Sequence, residues 1–347
     1  MVFDIEEDTG DQITGYLVPD SYSTSATVVV TSQGRQLAVL PTKENRPSVV
    51  AAGRHESGRC GFTIDSKVVP KLREYLELEL RDEASGLVFY RRRPLVASVP
   101  MRLFRLEPRH VRAHAWDEQL GEHFQLSFPN ADQLGRETTT QTLLLRSRSS
   151  YISARLLYRE FLHSIDDSFK KVCIVQNPYV ELAEIMLELR LGGAVHSDSL
   201  DMRDQLAFGA CAKHISLYNI LDSADLRQCL LRMPLEVETL LSSPLTRLLA
   251  AKSADEHLSS GSVASGLDSL ASFDIVGVRE HPNTYLESLL ELLAKIKDLP
   301  PLPPASPEAL ELAEGLRRLP SATALIDLDI DIYHTLSAAL GASFPGQ

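Results

Sequence analysis

The sequence predicts an α/β protein, a three-layer arrangement of parallel sheet and helices, preceded by a small antiparallel β-sandwich. Three observations carry this. Residues 12–95 hold short runs of period-two alternation separated by turn residues. Beyond residue 100, short apolar runs alternate with stretches of helical period. The stretch 142–189 reads strand, loop, helix, strand, turn, helix, a βαβ unit that implies parallel pairing and a right-handed crossover. The expected domains are 1–97 and 98–347.

In the first part, residues 12–18 read as a strand, and 26–31 with 36–40 as a hairpin turning at Gly34. Residues 60–64 form another short strand. Leu76, Leu78 and Leu80 alternate with Glu77, Glu79 and Arg81, one face in and one out. Residues 82–86 turn the chain and 87–91 return it. Arg91, Arg92 and Arg93 close this part; successive strand residues alternate faces, so three arginines form one patch for an acidic glycan only where the strand has ended.

In the second part, Met101–Leu106 reads as a strand, as do Leu143–Leu145, Val172–Val175 and Phe273–Val278. Ala154, Leu157, Phe161 and Ile165 recur at helical spacing. A helix is expected from Val180, and more over 202–219, 224–233, 235–241 and 244–251. Residues 259–265, SSGSVAS, read as a flexible loop. Residues 298–307 are half proline and read as surface polyproline II. Ser306 caps a helix with Pro307 at its first turn. The last helix is expected over 327–340, with Tyr333, Leu336 and Leu340 on its core face.

In open α/β sheets ligands bind at the carboxyl ends of the strands. Three candidate groups follow. Arg146, Ser147, Arg148, Ser149 and Ser150 would form an anion-binding loop, with Ser donors, guanidinium forks and a helix N-terminus. A solvated Ser-rich cap explains them equally well. Gln176 and Asn177 leave the second strand before Pro178. Glu280 and His281 leave the third, as candidate general bases. His110 and His114 lie one helical turn apart, but Arg112 between them opposes a metal, and no metal site is expected. His214 reads as a satisfied histidine between helices.

The order of elements resembles the sulfotransferases, which share a P-loop-like fold, and in particular their bacterial polysaccharide-modifying branch. The resemblance covers about residues 100–340. It rests on the strand–loop–helix at Leu143–Ile165, on VCIVQNPYVELAEIMLEL, on ASFDIVGVREHPNTYLESLLELL and on LIDLDIDIYHTLSAAL. It implies 3′-phosphoadenosine 5′-phosphosulfate as cofactor, with the loop Arg146–Ser150 on the 5′-phosphosulfate and Gln176 and Asn177 standing where the family has the Arg-Asp pair of its 3′-phosphate turn. No Ser follows on the next helix, and no GxxxxGK string is present. GYLVPD and GFTI resemble small β-sandwich modules fused to bacterial carbohydrate-active transferases.

Composition bounds the rest. With 347 residues, 44% hydrophobic and 24% charged, the chain is that of an ordinary globular protein. A net charge of −12 excludes a general nucleic-acid binder, and no apolar run reaches the ~20 residues of a membrane span. Cys60, Cys173, Cys211 and Cys229 have no metal spacing, and with an acidic N-terminus they point to the cytoplasm.

Two functions remain open. One is sulfuryl transfer to a hydroxyl of a bacterial polysaccharide or its precursor. The other is a non-catalytic relative that binds a glycan or a partner enzyme of polysaccharide assembly, which the absent Arg and Ser favour. Transfer from a sugar nucleotide is a third, and a homo-oligomer fits any of them.

Overall fold

The computed structural model describes residues 1–20, 23–94, 98–192 and 206–343. The chain divides into two units. The first comprises Met1–Arg102 and Glu118–Ile152, the second Leu103–Asp117 and Ser153–Gln347.

The first unit begins with β1 (Val2–Asp8), β2 (Ile13–Val18), β3 (Thr27–Ser32), β4 (Arg35–Pro41), β5 (Glu44–Asn45), a short helix α1 (Pro47–Ala51), β6 (Arg59–Ile64), β7 (Leu78–Asp82) and β8 (Val88–Arg92). They form two antiparallel sheets, β1-β2-β6-β5 and β4-β3-β7-β8. The expected alternation is real: Leu78 and Leu80 are buried. Leu76 precedes the strand and is exposed. Gln33 and Gly34 both take positive φ in the β3–β4 turn, which favours glycine there. In this part the sequence misses the two-residue β5 and, more consequentially, β1. Its Phe3 is fully buried beside Phe89, although Asp4, Glu6 and Glu7 made the segment look like an acidic tip.

Arg91–Arg93 form no patch. Arg91 pairs with Glu79 at 2.7 Å, Arg92 with Asp8, and Arg93 donates to the Glu122 carbonyl. Charged strand ends here serve the fold.

The third sheet has five parallel strands: β9 (Arg102–Leu106), β10 (Leu126–Phe128), β11 (Ser150–Ala154), β12 (Phe169–Val175) and β13 (Ile275–Val278), in the order β10-β11-β9-β12-β13. Between β9 and β11 lie helices α2 (His114–Gly121) and α3 (Arg136–Leu144). After β12 come α4 (Pro178–Gly192), α5 (Gly209–Ile215), α6 (Ser223–Leu231), α7 (Leu235–Leu241), α8 (Pro244–Ala250) and α9 (Ser260–Ala271). After β13 come α10 (Pro282–Leu293), α11 (Pro307–Arg317), α12 (Pro320–Leu325) and α13 (Asp327–Ser343).

Three local readings are corrected. Leu143 and Leu144 end helix α3 rather than forming a strand, because Thr138, Thr139, Thr142 and Leu143 place its buried face at helical spacing. The strand starts seven residues later, at Ser150, so 155–165 is a series of turns and not a helix. Its apolar side chains Leu156, Tyr158, Phe161 and Ile165 are buried without a helical frame. Residues 260–271 are helix rather than loop, started by a reciprocal capping box between Ser259 and Ser262. The capped proline start at Ser306 is as expected: its hydroxyl accepts from Ala309 N at 3.1 Å. Of the helix expected over 202–219, residues 202–205 lie outside the described residues.

Helix α4 organises the second unit's helical core. Leu182, Ala183, Ile185, Met186 and Leu189 pack in one cluster with residues of α5, α6, α11 and α12. A helix apolar on most sides is a central one. Its two buried carboxylates, Glu181 and Glu184, therefore need partners.

Candidate functional site

The parallel order puts β9 between β11 and β12. The chain leaves β9 toward β10 and leaves β12 toward β13, in opposite directions across the sheet. That makes the carboxyl ends of β9 and β12 the topological switch point, where open α/β sheets hold ligands.

A buried charged cluster lies there, entirely within the second unit. From the end of β9 come Arg105, Glu107, Arg109, His110 and Arg112, all buried. Arg105 grips Asp117 in a bidentate fork, Nε to Oδ1 at 2.9 Å and Nη2 to Oδ2 at 2.6 Å, and also reaches Glu107 at 2.9 Å. Its guanidinium also lies 5.3 Å from the centre of the Trp116 ring. This set ties β9 to α2. Burial, the largest influence on Glu107, works to raise its pKa, but Arg105 and Arg109 outweigh it and hold the carboxyl below its ordinary range.

Arg109 is 4% exposed and donates through Nη2 to Glu184 at 2.9 Å. Its Nε and Nη1 have no hydrogen-bond partner. Gln176, at the end of β12, donates to the same Glu184 oxygen at 2.8 Å, while its own Oε1 is unpartnered. Glu181 Oε1 receives the His110 backbone N–H at 2.9 Å and meets His110 Nδ1 at 3.0 Å; its Oε2 is unpartnered. Arg155, just beyond β11, reaches His110 Nε2. An arginine can only donate, so Nε2 is the accepting nitrogen and Nδ1 carries the proton toward Glu181. Burial raises the Glu181 pKa despite Arg109 and the His110 N–H. Arg109, Gln176, Glu181, Leu245 and Asp329 enclose a space of about 10 Å³, close to that of one water.

Beside this cluster, a cavity of about 890 Å³ runs along β13, α10 and α13. Glu280, His281, Ser288, Glu291, Tyr333 and Ser337 are among its lining. The end of β13 faces both features. Arg279 is pushed down to about 10, first by burial and then by the Arg109 charge, so it belongs to the cluster. Glu280, the next residue, lines the cavity. Tyr333 is raised to about 12, by burial first and then by the Glu280 carboxylate beside it; the Asn177 side chain interacts with the same hydroxyl. Tyr333 thus lines the cavity, where the sequence placed it on the core face.

Of the residues predicted from sequence, Gln176, Asn177, Glu280 and His281 gather at the carboxyl ends of β12 and β13. Arg146, Ser147, Arg148, Ser149 and Ser150 do not join them. They belong to the first unit and lead into the amino end of β11, because the strand begins at Ser150 instead of ending at Leu145. Arg146 and Arg148 are exposed, Ser147 and Ser149 bond within their own loop, and Ser149 Oγ accepts from Gln125 N at 2.9 Å. No helix starts after this loop to hold an anion.

Sequence reading missed Glu107, Arg109, Arg155, Glu181, Glu184 and Arg279. The signal was the dense run of charge in RLEPRHVR directly after an apolar strand, and two glutamates set among apolar neighbours on α4. His110 is buried and acid-paired. His214 is satisfied as expected, through Nε2 and the Cys229 carbonyl at 2.9 Å. No group of residues suited to a metal is found among the described residues, and no described helix is long and apolar enough to cross a membrane. Comparison with protein-family models, curated proteins and solved structures finds no match to this chain.

Proposed function

We propose that the chain is a transferase of the sulfotransferase-like kind, which binds an anionic donor at the carboxyl ends of β9 and β12 and passes a sulfuryl group to a hydroxyl of a polysaccharide or its precursor. The observation that carries this reading is Arg109. It is a nearly buried cation at the switch point with three N–H bonds uncommitted, at Nε and Nη1. Such donors grip phosphate or sulfate oxygens and stabilise charge that develops as a phosphate oxygen leaves.

The nucleotide donor would supply the activated sulfuryl group. Its charge suits Arg109, but the space of about 10 Å³ beside Arg109 has the size of one water and does not hold a nucleotide. No basic side chain at Gln176 or Asn177 offers a grip for a 3′-phosphate. The chain's own part is then as follows. Arg109 holds the anion, Glu184 and Gln176 fix Arg109, and Glu181 holds His110 in one tautomer. Glu280, on the neighbouring strand end, accepts the proton of the acceptor hydroxyl.

The test is thermal unfolding with 3′,5′-adenosine bisphosphate. At 100 times its dissociation constant a ligand adds ~2.7 kcal/mol of stability. A rise in melting temperature supports the reading, and no rise at millimolar nucleotide sinks it. A second reading, glycan or partner binding without catalysis, is favoured by one observation: Glu107 and Glu184 already engage the cluster's arginines, as a purely structural network would.

A further inference from the structure

The cavity beside β13 follows a backbone edge rather than a sheet face. Successive strand side chains point to opposite faces, so a cavity on one face touches every second residue. This one is lined by the consecutive residues 274–278. It therefore runs along the edge of the strand. β13 pairs with β12 alone, so alternate backbone N–H and C=O groups of the strand face away from the sheet. Outside the ladder, the backbone of 275–278 makes one backbone hydrogen bond among the described residues, from His281 N to the Val278 carbonyl at 3.0 Å.

Other edges of the molecule are guarded against strand addition. The pairings of β1, β4, β5 and β8, the edge strands of the two antiparallel sheets, each contain a register shift. β13 has no such device. Its register with β12 is unbroken, and its sequence, Ile-Val-Gly-Val, holds no charge and no proline. A four-residue strand laid beside it would fill on the order of 600 Å³, from the rise, strand spacing and sheet depth of β structure. The cavity offers about 890 Å³. Leu292 of α10 and Leu340 of α13 supply apolar walls for its side chains. Asp274 pairs with Lys170 at 2.7 Å. That leaves Glu280 and Glu291 as the uncompensated charges, and no lysine or arginine lines the cavity. Both glutamates are exposed, so they select and steer a partner more than they hold it.

We infer that β13 takes up an extended basic peptide of a partner protein as a sixth strand of the parallel sheet. Main-chain pairing along the edge supplies the affinity, and lysine or arginine side chains meet Glu280 and Glu291. The repeat of unpaired N–H and C=O groups is what singles out a peptide, since an extended chain carries the matching repeat. This site is separate from the donor reading at Arg109, and neither depends on the other.

The test is calorimetric titration of the full chain with blocked hexapeptides that alternate lysine with valine, threonine or tyrosine, joined to amide hydrogen exchange. At least one should bind, and its glutamate counterpart should bind at least tenfold more weakly. Exchange over 275–278 should slow at least tenfold at saturation. Two N-methylated forms of the binding peptide, methylated at odd or at even positions, separate main-chain pairing from charge attraction. One form should lose at least tenfold in affinity and the other should keep it, because only alternate amides face an edge. Ser288→Trp, which fills the cavity from α10, should abolish binding; Leu340→Trp does so from α13 should the first variant fail to fold. Failure of all three peptides, equal binding of the glutamate form, or no difference between the two N-methylated forms overturns the inference. So does binding that leaves exchange over 275–278 unchanged or persists in both tryptophan variants. Concentration-dependent protection of 275–278 with dimer formation in the peptide-free chain overturns it as well, and gives the edge to a second copy.

Discussion

His110 and Glu181 are joined twice through one oxygen: the backbone N–H and the Nδ1 of His110 both meet Glu181 Oε1, at 2.9 and 3.0 Å. The pairing locks the loop after β9 onto α4 and fixes the imidazole. Gln at 181 keeps an acceptor in place of that oxygen, whereas Ala leaves two buried donors unpaired. Glu181→Ala should therefore cost about 2–5 kcal/mol in denaturant unfolding, and Glu181→Gln distinctly less. Equal losses would show that the charge, not the hydrogen bonds, holds the loop.

The Arg105–Asp117 fork is the most buried ion pair of the cluster, with both side chains at 1% exposure or less. Removing one member strands a charge. Asp117→Ala should cost about 3–5 kcal/mol. The exposed Glu314–Arg317 pair on α11 sets the contrast, since truncating either member should change stability by no more than ~0.5 kcal/mol. Chemical denaturation of the two variants side by side decides it.

Asp329 accepts from Leu245 N, Thr246 N and Thr246 Oγ1, capping α8 from α13. Burial dominates and pushes its pKa from 3.8 up to about 6. Its folded value then exceeds its unfolded one, so the folded state holds a proton that the unfolded state has lost between pH 4 and 6. Over that window Asp329 makes stability fall as pH rises, by on the order of 3 kcal/mol at 1.36 kcal/mol per unit. Asp329→Asn should remove this fall. The difference in unfolding free energy between parent and variant, followed from pH 4 to 7, should slope downward to pH 6 and then flatten. A flat difference throughout would mean the carboxyl titrates normally.

Gly277 sits on β13 where a Cβ would lie 2.9 Å from the ring of Tyr285. The ring is buried and cannot retreat without disturbing the cavity wall. Gly277→Ala should destabilise by about 1–3 kcal/mol through overpacking. The neighbouring Tyr285→Phe should be neutral or stabilising, because the Tyr285 hydroxyl is buried with no hydrogen-bond partner. Melting temperatures of both variants check the pair of expectations.

The elements that the sequence made legible are those whose pattern is local. The β3–β4 hairpin shows its turn at Gly34, β7 its alternation, β12 its Val-Cys-Ile-Val run and α11 its Ser-Pro start. Of the elements it misassigned, the most consequential is ambiguous in composition. Leu143–Leu145 is an apolar run too short to tell strand from helix, and only the threonines on the preceding turns place it in α3. That single shift moved the expected anion loop from the carboxyl end of a strand to the amino end of the next. Gln176, Asn177, Glu280 and His281 were legible because strand ends are. Arg109 and Glu181 were not, since nothing local says that a charge after β9 and another on α4 share one burial site.

The central claim is that an anionic donor meets Arg109. Titration calorimetry of 3′,5′-adenosine bisphosphate tests it most directly, on the parent chain, on Arg109→Lys, on Arg109→Gln and on the double change Arg146→Ala with Arg148→Ala. Losing hydrogen bonds to a charged group removes about 1.5–3 kcal/mol, tenfold or more in affinity. Binding to the parent, a loss of at least tenfold in both Arg109 variants that retain a folded melting transition, and unchanged affinity in the Arg146–Arg148 double variant are the expected results. No binding to the parent, or loss in the double variant with none at Arg109, would contradict the account.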